Sequence, residues 1–215
     1  SLLREAKRLI VLPDFKGYIH DVGGPTAHFY EPSCSAQLVR GTCRGKACLS
    51  PLCENLRAAH REYLAILESL RTRPGVKKVF SRSGIRFDYL QQAHDDFLEV
   101  LCRHHISGQL RIAPEHVSRR VTRLMGKPGK SVYLRFVKAF EEMNRTLGKK
   151  QYLVPYFMSS HPGAHLEDAV EIAEFIHERG YHPEQVQDFI PTPGTLSTCM
   201  YHTGLNPLPG EKVYT

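Results

Sequence analysis

Four cysteines fall close together, as Cys34-x8-Cys43-x4-Cys48-x4-Cys53, within a stretch over residues 31–56 rich in Arg, Gly and Pro. Soft thiolates grouped in this way have the chemistry to ligate Zn²⁺ or an auxiliary iron–sulfur cluster. Structural zinc sites pair cysteines across roughly two to four residues, which the two later intervals meet and the first does not. His60 is a candidate substitute ligand. The same stretch also reads as reduced thiols in a substrate-facing loop, or as two disulfides formed in air. Cys102 lies on an apolar helical stripe and reads as core, whereas Cys199, in Ser197-Thr198-Cys199-Met200-Tyr201, falls in a tail near the last of the polar loops described next.

A second kind of chemistry is spread over five loops: Asp21-Val22-Gly23-Gly24-Pro25-Thr26, Ser81-Arg82-Ser83-Gly84-Ile85-Arg86, Ala113-Pro114-Glu115-His116, Ser159-Ser160-His161-Pro162-Gly163 and Pro191-Thr192-Pro193-Gly194-Thr195. Each is dense in Gly, Pro and polar residues, and each follows a short apolar run. If those runs are parallel strands, all five loops share one rim. Carboxylates, hydroxyls, imidazoles and a guanidinium on one rim make a binding mouth. His116 and His161 are candidates to donate to substrate or move a proton, and a structural or solvated place is the alternative in a chain with 12 histidines.

The elements that would position these loops can be read from periodicity. Residues 1–10 predict a helix end, and residues 17–22 a buried strand closing on Gly23-Gly24-Pro25. Ala59, Tyr63, Ile66, Leu67 and Leu70 stripe a helix that Pro74-Gly75 breaks before a strand over residues 76–80. Phe97, Val100 and Leu101 mark the next helix, and residues 109–113 the next strand. Phe136, Val137, Phe140, Met143 and Leu147 then stripe a helix stopped by Gly148. Residues 151–158 read as a strand, Leu166, Ala169, Val170, Ala173 and Ile176 as a helix stopped by Gly180, and residues 185–190 as the last strand. Strands alternating with helices imply a parallel sheet, open or closed into part of a barrel, with ligands beyond the carboxyl ends of the strands.

With 215 residues, 41% hydrophobic and 24% charged, the chain has the composition of one ordinary globular domain. Apolar runs such as Leu9-Ile10-Val11-Leu12 fall far short of the roughly 20 residues of a membrane helix. The expectation is no membrane contact and a cytoplasmic protein whose cysteines serve metal or redox chemistry. The net charge of +7 suits a polyanionic partner, but the basic residues are dispersed. The densest stretch, Arg119, Arg120, Arg123, Lys127, Lys130 and Arg135, reads as a solvated helix face, with RNA or phosphate contact as the alternative. Neither end carries terminal punctuation, and the chain reads as an internal fragment.

The phrases GGPTA, VKKVF-x-x-SGIRFDY, G-x-L-x-IAPEH, M-x-KPG, QYLVPYF-x-SSHPG and QVQDF-x-PTP, in this order, resemble the YgiQ-type radical S-adenosylmethionine proteins over nearly the whole chain. The resemblance implies an α/β fold, a partial (β/α)₆ TIM-type barrel of parallel strands with outer helices, whose first βα unit is missing here. It also implies S-adenosylmethionine held against a [4Fe–4S] cluster and cleaved reductively to methionine and a 5′-deoxyadenosyl radical. A reductant for the cluster would be needed, and the substrate, RNA or protein among the candidates, is left unnamed.

Carried over by position, the resemblance makes Gly23, Gly24 and Pro25 the element whose backbone receives the methionine amino group, with Thr26 adding a hydroxyl. Ser83 and Arg86 would meet the ribose or the methionine carboxylate, and Glu115 a ribose hydroxyl. Pro162 and Gly163 would shape the adenine pocket, and Pro191, Thr192 and Pro193 its far wall, unless these prolines only stiffen their loops. The chain departs from the family in lacking the CxxxCxxC triplet that holds the cluster, which in the family precedes the segment matched here. The 215 residues alone are therefore expected to be inactive. The contrasting expectation is a non-catalytic metal- or RNA-binding module that works through Cys34, Cys43, Cys48 and Cys53 and the basic face.

Overall fold

The computed structural model describes residues 2–23, 34–41, 43, 48, 53–56, 60–90, 96–180, 183 and 186–215. In chain order its elements are α1 (Leu2–Ile10), β1 (Tyr18–Ile19), α2 (Ser35–Arg40), α3 (Arg61–Arg71), β2 (Lys78–Val79), α4 (Phe87–Leu90) and α5 (Phe97–Val100). A turn of π-helix, Leu101–His105, follows. Then come β3 (Gln109–Glu115), α6 (Arg119–Leu124), α7 (Lys130–Leu147), β4 (Tyr152–Ser159), α8 (Leu166–Arg179), β5 (Val186–Asp188) and α9 (Leu196–Thr203). The fold is mixed α/β with parallel strands in two small sheets, ordered β1-β2 and β3-β4-β5.

Two compact units are present. The first comprises residues 1–35, 57–112 and 136–154, and the second residues 36–56, 113–135 and 155–215. In the first, Tyr18 pairs with Lys78 and Ile19 with Val79, and only Ile19 and Val79 turn inward. Backbone bonds from Val22 to the Phe80 carbonyl and from Phe80 to the Ile19 carbonyl, each 2.9 Å, carry the contact toward the loops. These regular strands are shorter than the runs at 17–22 and 76–80 predict. Tyr63, Leu67 and Leu70, at intervals of four and three, give α3 its buried face, as the stripe predicts. Phe87 and Phe136 pack at 5.5 Å and Phe136 and Phe140 at 6.3 Å.

The π-turn was not expected. It turns Leu101, Cys102 and His105 inward together, and the His105 amide carbonyl accepts from Ser81 N at 3.0 Å while its Nδ1 meets the Val79 carbonyl at 2.8 Å. The extra residue of a π-turn rotates the chain so that both groups of His105 reach the end of β2.

In the second unit β5 lies parallel to β4, with Phe157 opposite Val186, Met158 opposite Gln187 and Ser159 opposite Asp188. Phe175 of α8 stands edge-on to Phe157 at 6.4 Å and to Tyr133 at 6.0 Å, and these rings with Val121 and Met200 form the core. Gly180 ends α8 and Gly204 ends α9, both in the left-handed conformation. Residues 197–201, read from sequence as a tail, lie in α9. Their helix is capped by Thr195, whose Oγ1 accepts from the Thr198 amide at 3.2 Å. No helix among the described residues is long and apolar enough to cross a membrane.

Candidate functional site

In the second unit the carboxyl ends of β3, β4 and β5 carry the densest polar chemistry. Glu115 closes β3, Ser159 closes β4 with Ser160 directly after it, and Asp188 closes β5. Glu115 and Ser160 have φ of 63° and 58°, the only non-glycine residues with positive φ among the described ones. A left-handed conformation costs an L-residue about 1–2 kcal/mol, so a strand that ends in one is held there by its surroundings. The effect is to bend the chain sharply at the ends of two strands adjacent in the sheet.

The bent ends are tied. Lys127 Nζ lies 2.9 Å from Glu115 Oε1 and 3.4 Å from the Ala113 carbonyl, with both side chains about one-fifth exposed. Ser159 donates to Asp188 Oδ1, and Ser160 reaches the same oxygen at 3.4 Å. The Tyr156 hydroxyl donates to Gln187 Oε1 at 2.8 Å, and burial, followed by the Glu115 charge, raises its pKa. Two carboxylates and three hydroxyls thus gather at neighbouring strand ends.

The histidines beside them are buried and held neutral. His116 is buried, and its Nδ1 accepts from the Val117 and Ser118 amides, each at 3.0 Å, which leaves the ring proton on Nε2. Burial lowers its pKa to about 4, against the opposing Asp168 charge. His161 is lowered too, by burial first, while its bond to the Pro162 carbonyl and the Glu115 charge work the other way. Asp168 binds Ser118 Oγ and Arg120 Nη2, each at 2.5 Å, and the His165 amide at 2.7 Å. Burial works to raise the Asp168 pKa, but those bonds outweigh it and the net shift is downward.

Of the residues singled out from sequence, Glu115 stands at the rim as expected, and Thr192 lies in the loop before α9. The Thr192 carbonyl accepts from Thr195 at 2.9 Å and from Thr198 at 2.7 Å, which makes it part of the cap. Pro162 and Gly163 are packed. A Cβ on Gly163, at φ 84°, would come within 2.2 Å of Leu124 Cδ1 and 3.2 Å of Val213 Cγ1, so no side chain fits. In the first unit Ser83 and its neighbour Arg82 are gathered by Asp21, whose carboxylate accepts from both amides and from the Ser83 hydroxyl. Arg86 forms a two-bond pair with Asp88 at 3.0 and 2.5 Å and stacks over Tyr89. Gly23 has φ 129°, while Gly24, Pro25 and Thr26 lie outside the described residues.

Cys34 and Cys48 are half-buried, Cys43 exposed and Cys53 buried, and the Cys53 amide donates to the Cys48 carbonyl at 2.8 Å. Among the described residues no three His, Cys, Asp or Glu side chains are grouped to hold a metal ion. The donor set for a [4Fe–4S] cluster is thus not assembled from them. The rim of the second unit does fit S-adenosylmethionine in kind, because carboxylates and hydroxyls complement ribose hydroxyls, an ammonium and a sulfonium.

Asp188 escaped the sequence reading as a site residue, while Asp21 was read only as part of the first polar loop and Lys127 as part of the basic stretch. Lys127, read there as part of a solvated helix face, lies in the turn after α6 and is paired with Glu115. Arg120 of the same stretch is paired with Asp168. The M-x-KPG phrase was the available signal for Lys127, since Gly126, at φ 64°, reverses the chain directly before it.

A family model described as a domain of unknown function (DUF3362) matches residues 184–214. UPF0313 proteins of Clostridium botulinum, strains 657 and Okra, are 57% identical over the whole chain, and one from Clostridium perfringens strain 13 is 54% identical, also over the whole chain. No solved structure matches. The chain spans 33–34% of the length of these relatives, and over all of its own length it is similar to a segment of UPF0313 proteins.

Proposed function

We propose that this chain is part of a radical S-adenosylmethionine enzyme and that the strand ends of its second unit face the adenosyl portion of that cofactor, in a partial (β/α)₆ barrel. The single observation that supports this best is the pair of left-handed residues Glu115 and Ser160, at the ends of adjacent strands β3 and β4, with Asp188 bonded to Ser159 and Ser160 beside them. Strain at two neighbouring strand ends aims a carboxylate and a hydroxyl across one rim.

In this reading the Glu115 carboxylate accepts from the ribose hydroxyls, and Lys127 fixes where that carboxylate stands. Gly163, whose missing side chain lets Leu124 and Val213 pack directly on the turn after β4, fixes the shape of that turn behind the rim. Asp188 holds the two serines in register for polar atoms of the ligand. Bound with its cluster, S-adenosylmethionine supplies the radical chemistry, while the protein orients the adenosyl group and excludes water. The cluster ligands are proposed to lie in the remainder of the longer protein.

The test is calorimetric titration of the full-length protein with S-adenosylhomocysteine, which binds without reacting. Glu115→Gln, which keeps the shape and removes the charge, should weaken binding by about 10- to 100-fold, the worth of a hydrogen bond to a charged group. Wild-type protein that fails to bind, or a Gln variant that binds unchanged, would contradict the assignment.

A further inference from the structure

One polar contact of the second unit, made by the residue between Ser160 and Pro162, is not used in that reading. Ser197 is the second residue of α9, and its Oγ lies 2.8 Å from Nε2 of His161. His161 Nδ1 lies 2.8 Å from the Pro162 carbonyl, which can only accept, so Nδ1 carries the ring proton. Nε2 therefore presents a lone pair, and the Ser197 hydroxyl donates to it. A hydroxyl bonded to a neutral imidazole, itself oriented by a fixed acceptor, is the arrangement of an activated nucleophile. The imidazole is buried and held edge-on by Phe189 at 5.3 Å, so it cannot swing away from the serine.

Two further features point the same way. Thr195 takes the amides of Thr198, through Oγ1, and of Cys199, through its carbonyl, whereas the amides of Leu196 and Ser197 have no acceptor among the described residues. A pair of unused N–H groups adjoining the nucleophile suits a developing oxyanion. Tyr201, four residues on and therefore on the same helix face as Ser197, packs on Phe189 at 5.7 Å yet remains 53% exposed. It offers an apolar surface beside the hydroxyl.

We propose that Ser197 and His161 form a nucleophile–base pair for acyl transfer from a carboxylic ester with an apolar acyl chain. Ser197 Oγ forms a bond to the ester carbonyl carbon as its proton passes to His161 Nε2. The carbon–oxygen bond to the alcohol then breaks, and the alcohol leaves with that proton. Water, deprotonated by the same imidazole, attacks the acylated serine, releases the carboxylic acid and restores the hydroxyl.

The experiment treats full-length protein with an alkyl fluorophosphonate and locates the adduct by peptide mass spectrometry. Phosphonylation of Ser197 is expected, with none in Ser197→Ala at that peptide. The rate should fall by about 100-fold or more in His161→Gln, the share a general base commonly supplies. Should that variant misfold, the wild-type pH profile decides. Burial keeps His161 neutral below the ordinary imidazole range, so labelling should hold its rate from pH 8 to below 6.5. No adduct at Ser197 under conditions that saturate a serine esterase, or labelling indifferent to His161→Gln, or a rate that already falls near pH 7, would overturn the proposal and leave the contact a structural tie.

Discussion

Glu115 and Lys127 show how one side chain acquires a position that its backbone resists. Left-handed φ at Glu115 is unfavourable, and the ion pair to Lys127, only one-fifth exposed, holds the side chain of the strained residue. Gly163 presents the reverse case, where left-handed φ is free but a side chain is not. Gly163→Ala should destabilise the protein by about 2–4 kcal/mol, combining backbone strain with the displacement of Leu124, as read by urea denaturation. An unchanged midpoint would mean that Leu124 moves aside freely. His116 makes a pH prediction. Its ordinary pKa of 6.5 falls to about 4 on folding, so between those values the unfolded chain binds more protons. Stability is full above about pH 6.5 and is lost as the pH falls toward 4, by on the order of 3 kcal/mol for this residue. His116→Gln should flatten that part of a stability-against-pH curve. Glu115 was legible in sequence as a polar residue after a strand. Its strain and its partner were not, because both depend on where the turn after α6 returns.

At the scale of elements, strongly periodic segments were readable and short ones were not. α3 lies where its apolar stripe predicts. α8 has the predicted extent but buries Asp168, Ile172 and Phe175 and leaves Leu166, Ala169, Val170 and Ala173 of the predicted stripe exposed. β3, β4 and β5 fall within the predicted runs to within two residues. The same rules missed α9, because Leu196, Met200 and Tyr201 supply too short a stripe and the preceding Pro-Thr-Pro-Gly run signals a loop. The cap was the overlooked evidence. Thr195 opens the helix and Gly204 closes it, and the Thr195 hydroxyl also contacts Thr198 Oγ1 at 2.9 Å. Thr195→Ala should cost about 1 kcal/mol and speed amide exchange at Thr198 and Cys199, while Thr195→Ser should retain most of the protection. Equal exchange in both variants would show that tertiary contacts alone hold α9. The π-turn after α5 was invisible because nothing in a helical stripe marks one inserted residue.

Over the whole molecule, the polar loops predicted to follow strands come at the ends of β1 to β5, wherever they are described, although Ala113, Pro114 and Glu115 prove to be the last residues of β3 and Ser159 the last of β4. The strands pair in parallel within each small sheet. Composition could not show how the charges are spent. Arg120 and Lys127, two of the cations behind the net charge of +7, are bound to Asp168 and Glu115. The basic stretch is therefore less available to a polyanion than its sequence implies, and the polar rim is the better candidate for ligand. The central claim, a radical S-adenosylmethionine enzyme, is tested most directly on anaerobically reconstituted full-length protein given S-adenosylmethionine and dithionite, with chromatography of the products. Formation of methionine and 5′-deoxyadenosine in equal amounts, reduced in Glu115→Gln, is the predicted result; their absence from protein that carries a reducible [4Fe–4S] cluster would contradict it.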